Sequence, residues 1–382
     1  MAHSTTGRTF TFTFLSVVLR LMLGAAQAQQ LVWTQKNVSG PPASTYPNMA
    51  FDSARGVTVL TLTDNQACQT WEWNGAAWAQ RVVSPSPPYG GVMVYDSGRG
   101  VTVLYIGQTW EWNGTAWTRQ LVSGPPISGS FLMAYDAARG VTVAFNGAVN
   151  ASPAAQTWEW NGTAWTRQMV TQPPPRYWGG MAYDAGRHVT VLFGGHSPFG
   201  TNYGDTWEWD GTAWQSPSGG SEALATGYPA MAYDSTRNVS VIFGIGNANG
   251  ANGLGDQTWE RNGTSNNWTQ RFISGPSPRR DHAMAYDSIR GKIVLFGGMA
   301  GRPVGGAANG ETWILGRPCG SADFNCDGDT GTDADIEAFF ACIAGACPAA
   351  PCLGTADFNG DGDVGTDADI EAFFRVLAGG SC

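Results

Sequence analysis

The chain has 382 residues, 42% hydrophobic and 13% charged, with 52 Gly, 21 Pro and 17 Trp, the balance of a turn-rich all-β protein large enough for one big domain and a small module. Its net charge of −9 is uneven: residues 318–382 carry twelve acidic residues against one basic residue, Arg375, whereas the rest is near neutral. Neither part has the basic footprint that phosphate binding needs, so no nucleic-acid role is expected.

The first 28 residues read as a secretory signal. Arg8 is basic, Phe12–Leu19 is apolar although Arg20 interrupts the segment, and Ala26-Gln27-Ala28 fits a small-x-small cleavage site. The expected location is secreted or cell surface. No later stretch is long and apolar enough to span a membrane.

Residues 31–317 repeat one sentence six times. M-x-[YF]-D ends at Asp52, Asp96, Asp136, Asp184, Asp234 and Asp287, spaced 40–53 residues apart, and an Arg follows each by three. Downstream, T-W-E-W-N-G recurs from Thr70, Thr109 and Thr157, becomes T-W-E-W-D-G at Thr206 and T-W-E-R-N-G at Thr258, and decays to T-W-I-L-G at Thr312. Each unit reads as four short strands, and a period of this size built from strands predicts a β-propeller. After the Arg stand Gly56, Gly100, Gly140, His188, Asn238 and Gly291, residue types that tolerate the positive φ of a bulged hairpin turn. The repeated Asp and Arg are expected to pair across that turn. Sixteen Trp occupy repeat slots and are expected to pack between sheets. The sixth unit lacks a fourth strand, and the segment from Trp33, which matches the segment from Trp117, is expected to supply it and close a six-bladed ring.

Alternating strand direction puts the short D-x-x-R-G and N-G turns on one face and the variable loops on the other. The variable face is the candidate ligand site, with Tyr46, Tyr89, Arg176, Tyr177, Trp178, Tyr228, Arg280 and His282 suited to a protein or glycan. Packing at the channel rim is the competing account of these aromatics. No catalytic residue is assigned. His188, His196 and His282 lack metal-ligand spacing, and nucleophile-elbow and H-E-x-x-H motifs are absent. Cys68 is expected to be a buried free thiol. The recurring sequon at Asn113-Gly114-Thr115 follows from the turn repeat.

Residues 318–382 hold two near-copies, Ala322–Phe340 and Ala356–Phe374. D-x-N-x-D-G begins a calcium loop, in which oxygens at positions 1, 3 and 5 converge on the ion and Gly at position 6 makes the turn. The candidate ligands are Asp323, Asn325, Asp327 and the carbonyl of Asp329, then Asp357, Asn359, Asp361 and the carbonyl of Asp363. Asp335 and Asp369 are favoured to close the sites, with Asp333 and Asp367 as alternatives. Thr332-x-x-Asp335 and Thr366-x-x-Asp369 also read as helix capping boxes. Ile336, Phe339, Phe340 and Ile343 mark one apolar helix face, as do Ile370, Phe373, Phe374 and Leu377. Six of seven Cys lie here. Cys326 and Cys342 are both missing from the second copy, so they are expected to pair, with Cys319–Cys347 and Cys352–Cys382 as repeat-equivalent bridges among 15 possibilities.

The repeats, with Gly-Gly at Gly194–Gly195 and Gly297–Gly298 and a closing Trp, resemble the kelch family, including galactose-oxidase-like proteins. Only two units keep the doublet. The paired loop–helix tail resembles dockerin modules. The resemblances imply a kelch-type propeller that binds a partner, with calcium in a tail that engages a cohesin-like or cell-surface partner. A secreted carbohydrate-active enzyme or galactose-oxidase-like oxidoreductase is the alternative.

Overall fold

The computed structural model describes residues 31–64, 67–88, 90–126, 130–147, 155–197, 200–217, 228–245, 255–263, 267–300, 307–316, 320, 324–325, 331–347, 355–361 and 363–378. The signal-like segment, Tyr89 and most of the first calcium-loop sequence lie outside these residues.

The protein is an all-β propeller with a small helical tail. Six four-stranded antiparallel sheets follow the six repeats. In the first, Asn48–Asp52, Val57–Asp64, Ala67–Trp73 and Trp78–Arg81 are hydrogen-bonded in chain order. The sixth takes Ala283–Asp287, Lys292–Phe296 and Thr312–Gly316, then Val32–Lys36 from the chain's start, with Trp33 opposite Leu315. Arg279–Arg280, Met299–Ala300 and Ala307–Ala308 form a further small sheet.

Strand alternation sends every second side chain into the space between neighbouring sheets. Six apolar clusters result. One joins Leu60, Trp73 and Trp78 of the first sheet to Val294 and Phe296 of the sixth, so the ring is closed by packing as well as by hydrogen bonds. Trp73, Trp112, Trp160 and Trp209, the second Trp of each T-W-E-W, are at most 1% exposed. The Trp that opens each fourth strand donates its indole N–H across the gap to the Thr of T-W in the preceding sheet. Trp33, Trp78, Trp117, Trp165, Trp214 and Trp268 reach Thr258, Thr312, Thr70, Thr109, Thr157 and Thr206 at 2.7–3.1 Å. An aromatic ring fills the gap while its one polar atom is satisfied inside it.

The D-x-x-R turns form as their residue types require. Gly56, Gly100, Gly140, His188, Asn238 and Gly291 all have φ between +53° and +68°. In all six, Asp and Arg pair at 2.6–2.8 Å. In five, the Arg also meets the Glu of T-W-E at 2.5–2.7 Å. The sixth has Ile314 there, and Arg290 instead donates to the Gly56 carbonyl of the next sheet at 3.1 Å. Gly75, Gly114, Gly162 and Gly263 of the N-G turns and Gly211 of the D-G turn lie against the Arg of the preceding sheet, which puts both kinds of turn on one face.

In the tail, α1 (Asp333–Ile343) and α2 (Asp367–Leu377) pack through Phe324, Phe339, Phe358 and Phe373. Phe339 and Phe373 stack at 4.1 Å. Phe340 and Phe374 depart from the expected apolar face: they are 42% and 44% exposed. The described disulfide is Cys342–Cys347, at the end of α1 where Gly345 at φ +94° folds the chain back. Cys319 and Cys326, the other halves of the expected Cys319–Cys347 and Cys326–Cys342 pairs, lie outside the described residues. Cys352–Cys382 lies outside the described residues. Cys68 is a free thiol, half-buried, and burial pushes it up to about 11.

Candidate functional site

A cavity of about 770 Å³ opens among the variable loops. Its construction follows the repeat. Counting back from each repeat Asp, the residue at minus five lines the cavity in every sheet: Pro47, Gly91, Phe131, Gly179, Pro229 and His282. The residue at minus six does so in five: Tyr46, Gly90, Trp178, Tyr228 and Asp281. These two slots therefore surround the mouth and differ from repeat to repeat, with Asn48, Tyr105, Ile106 and Tyr177 among the other lining residues.

The expected ligand-face residues divide. Tyr46, Tyr177, Trp178, Tyr228 and His282 line the cavity. Trp178 stacks on Tyr228 at 4.8 Å and 24°, and Tyr177 meets Trp178 edge-on at 4.5 Å. Arg280 stands behind, its guanidinium 5.1 Å over Tyr228 and 3.5 Å from Asp281. Arg176 does not face the cavity. It is fully buried, bidentate to Asp205 at 2.5 and 2.9 Å, and donates to the carbonyls of Pro174 and Gly194.

Arg279 repeats the Arg176 arrangement in the sixth sheet, pairing with Glu311 at 2.6 Å and donating to the carbonyls of Ser277 and Gly297. These two sheets are the ones that keep the Gly-Gly doublet, whose glycines have φ of +65° to +97°. The buried Arg holds that left-handed turn by its carbonyl. The signal was in the sequence: an Arg, a Gly-Gly and an acid just before T-W occur together in these two repeats.

Asp281 and His282 are the polar part of the wall. Trp178 and Asp281 occupy the same slot and share φ of +57°, an uncommon backbone for such side chains. His282 is 7% exposed, and neither ring nitrogen has a hydrogen-bond partner. Burial, with Arg279 nearby, pulls the imidazole down to about 3, so it is neutral at physiological pH. Burial pushes the Asp281 carboxyl up to about 6, against the opposing pull of Arg280. Of the other two described histidines, His188 sits in its turn against the Tyr183 hydroxyl, whereas His196 forms a β-bridge with Tyr177, its ring 5.4 Å from that of Tyr177 and 6.3 Å from that of Trp178, and lies 2.8 Å from Asn202.

The tail offers a second candidate site. Carboxylate oxygens of Asp357, Asp361 and Asp369 lie within 4.8 Å of one another. Asn359 and Asp361 exchange hydrogen bonds, and Asp363 donates its N–H to Asp361. Asp369 reaches back into the loop, accepting from the Asn359 N–H at 3.2 Å, while its second oxygen accepts from the Thr366 N–H and hydroxyl. Capping and facing the loop are thus one conformation. Asp335 does the same, accepting from Phe324, Asn325 and Thr332. Asp333 and Asp367 are exposed. Asp323, Asp327 and Asp329 lie outside the described residues. The second loop also meets the propeller: Lys292 donates to the Asn359 carbonyl at 2.9 Å, beside a cleft of about 370 Å³ that includes Arg290 and Arg375.

No protein-family model and no curated protein matches the chain. Among solved structures it is similar to one titled "Structure of YjhT", with a TM-score of 0.51 at 11% identity, over 72% of this chain and 95% of that one. At that identity the likeness is one of fold.

Proposed function

We propose that this chain is an exported, six-bladed, kelch-type propeller that binds a protein or glycan on its variable-loop face and carries a calcium-binding, dockerin-like tail. The observation that carries the reading is the cavity whose lining comes from one pair of slots in successive repeats and differs from repeat to repeat. A rim needed for packing alone has no reason to present exposed aromatics: Tyr46 is 59% and Trp178 41% exposed. In the tail, Asp357, Asn359, Asp361, the Asp363 carbonyl and Asp369 are the proposed calcium ligands. Asp323, Asn325, Asp327, Asp329 and Asp335 are their counterparts. Calcium orders the tail for a cohesin-like or cell-surface partner, so that the tail tethers and the propeller binds.

The test uses the full chain. Ligands retained from glycan and protein libraries are compared between the wild type and Trp178→Gly, with the melting temperature in calcium against chelator recorded in parallel. Loss of capture in the variant and a higher melting temperature in calcium are expected. Equal capture by both proteins removes the binding-face assignment, and calcium-independent melting with no calorimetric binding removes the metal assignment.

A further inference from the structure

We propose that the propeller cavity recognises a neutral pyranose ring of a glycan, one face lying on Trp178 and a pair of ring hydroxyls held by Asp281 and His282. This rests on the variable-face reading above and narrows its ligand to one chemical class.

Three observations converge. The first is a shelf. Trp178 and Tyr228 are stacked, Tyr177 braces Trp178 edge-on, and Trp178 keeps 41% of its surface exposed. The C–H face of a sugar ring is apolar and weakly positive and suits the negative face of an indole.

The second is the hydrogen-bonding character of the polar wall. A neutral imidazole offers one donor and one acceptor. His282 is nine-tenths buried with both unmet, which is unfavourable unless a ligand supplies the partners. A hydroxyl both donates and accepts, and a vicinal pair meets an imidazole and a carboxylate side by side. Asp281 is adjacent in sequence and lines the same cavity; its buried Oδ2 lies 3.5 Å from Arg280 and makes no hydrogen bond.

The third is charge. Among the described lining residues Asp281 is the one carboxylate, and no Lys or Arg lines the cavity. An anionic ligand meets Asp281 with no lining cation to hold it. A cationic ligand meets Arg280 beside Asp281 and Arg279 beneath. A neutral polyol avoids both penalties. Space is available where the second sheet has Gly90, at which an added Cβ would touch nothing within 4 Å.

The same slots supply variants that preserve the backbone. Gly occupies the Trp178 slot in the second sheet at positive φ, so Trp178→Gly removes the shelf without strain. Asn tolerates positive φ, so Asp281→Asn changes the carboxylate alone.

The experiment is saturation-transfer NMR followed by calorimetry on the full chain in calcium buffer. The probes are neutral oligosaccharides of glucose, galactose, mannose and xylose, set beside uronate-bearing and amino-sugar oligomers and unrelated peptides. Phe272→Ala, at an exposed position just after the outer strand Thr269–Arg271, serves as a control. The expected result is binding of at least one neutral oligosaccharide, weakened about tenfold or more by Trp178→Gly and about tenfold by Asp281→Asn, with the control unchanged. Binding restricted to charged glycans or peptides, and lost in Trp178→Gly, overturns the neutral-sugar inference while leaving the binding face intact. Neutral-sugar binding indifferent to both variants overturns both readings, and silence across all probes at millimolar concentration overturns the neutral-sugar inference.

Discussion

The two faces of the propeller are built on opposite rules. On the turn face every repeat does the same thing. Asp and Arg pair in all six sheets, a Glu joins in five, and Gly75, Gly114, Gly162, Gly211 and Gly263 each rest on the Arg of the sheet before. Asp, Arg and Glu there are paired locally, and nearly the same solution recurs because the geometry recurs, although Arg187 Nη2 and the Tyr95 hydroxyl are buried without a hydrogen bond. On the variable face the corresponding slots hold Tyr46, Gly90, Trp178, Tyr228 and Asp281, and His282 is buried with its nitrogens unmet. Repetition marks what holds the ring together, and departure from it marks where the ring is free to specialise. Stability and recognition should therefore separate by face.

The largest expected effect tests the exception to that rule. Arg176 and Arg279 are on the variable side yet fully buried and ion-paired. Arg279→Met should lower stability by about 3 kcal/mol, because it strands Glu311 and releases the Gly297 carbonyl that fixes the turn beside His282. Denaturant melts check this. A loss below about 1 kcal/mol would mean the turn holds itself and the Arg is incidental.

Next comes Asp281. Its carboxyl is raised to about 6, so the folded protein holds a proton between roughly pH 4 and 6 that the unfolded chain has released; this contribution is present at low pH and lost as pH rises through about 6. His282 runs oppositely. With its pKa lowered to about 3, its neutral form is accommodated above about 6.5, and stability falls as pH drops below that. Between about 4 and 6 the two slopes offset. Asp281→Asn removes one of them. The variant should be more stable than wild type at pH 7 by on the order of 2 kcal/mol, with the advantage fading towards pH 4. Melting curves that stay parallel across this range contradict the assignment of the shift to Asp281.

The inter-sheet bond is smaller. Thr206→Val deprives the buried Trp268 indole of its acceptor at nearly constant volume and should lower stability by about 1–2 kcal/mol. Because the same bond recurs six times, Thr109→Val should match it. Unequal losses would show that the repeats are not energetically equivalent.

Much of this was legible in the sequence. The six-fold Asp–Arg spacing announced the turns, and even the exceptions His188 and Asn238 are residues that tolerate the positive φ found there. The closing strand at Val32–Lys36 could be read because its neighbours copy the segment after Trp117. What escaped was interaction between units. The Thr of T-W is repeated in all six units and the Glu of T-W-E in five, but their partners lie on another strand or in the preceding sheet, beyond any local pattern. Arg176 was placed at the mouth because charge in a variable loop suggests exposure; its acid, Asp205, lies 29 residues on. Comparison of the two copies gave no sign of the chain reversal at Gly345, which brings Cys347 near Cys342. The repeated D-x-N-x-D-G motif was plain in the sequence, whereas the contact between Lys292 and Asn359 that joins the second loop to the propeller left no mark in either segment.

The smallest expected change in stability carries the sharpest test of the contrast between faces. Trp178 is large and aromatic, and the comparable loss of a core Trp such as Trp112 would cost about 3–5 kcal/mol. Trp178 instead leaves 41% of its surface to solvent and holds a left-handed backbone that glycine adopts more readily. Relief at φ +57° and lost contact with Tyr177 and Tyr228 pull in opposite directions, so Trp178→Gly should shift stability by less than about 1 kcal/mol. If it instead destabilises as a core Trp does, the aromatic cluster is a structural plug and the specialised face holds the ring as the turn face does. If stability is kept while ligand capture is lost, the position is held by recognition rather than by the fold.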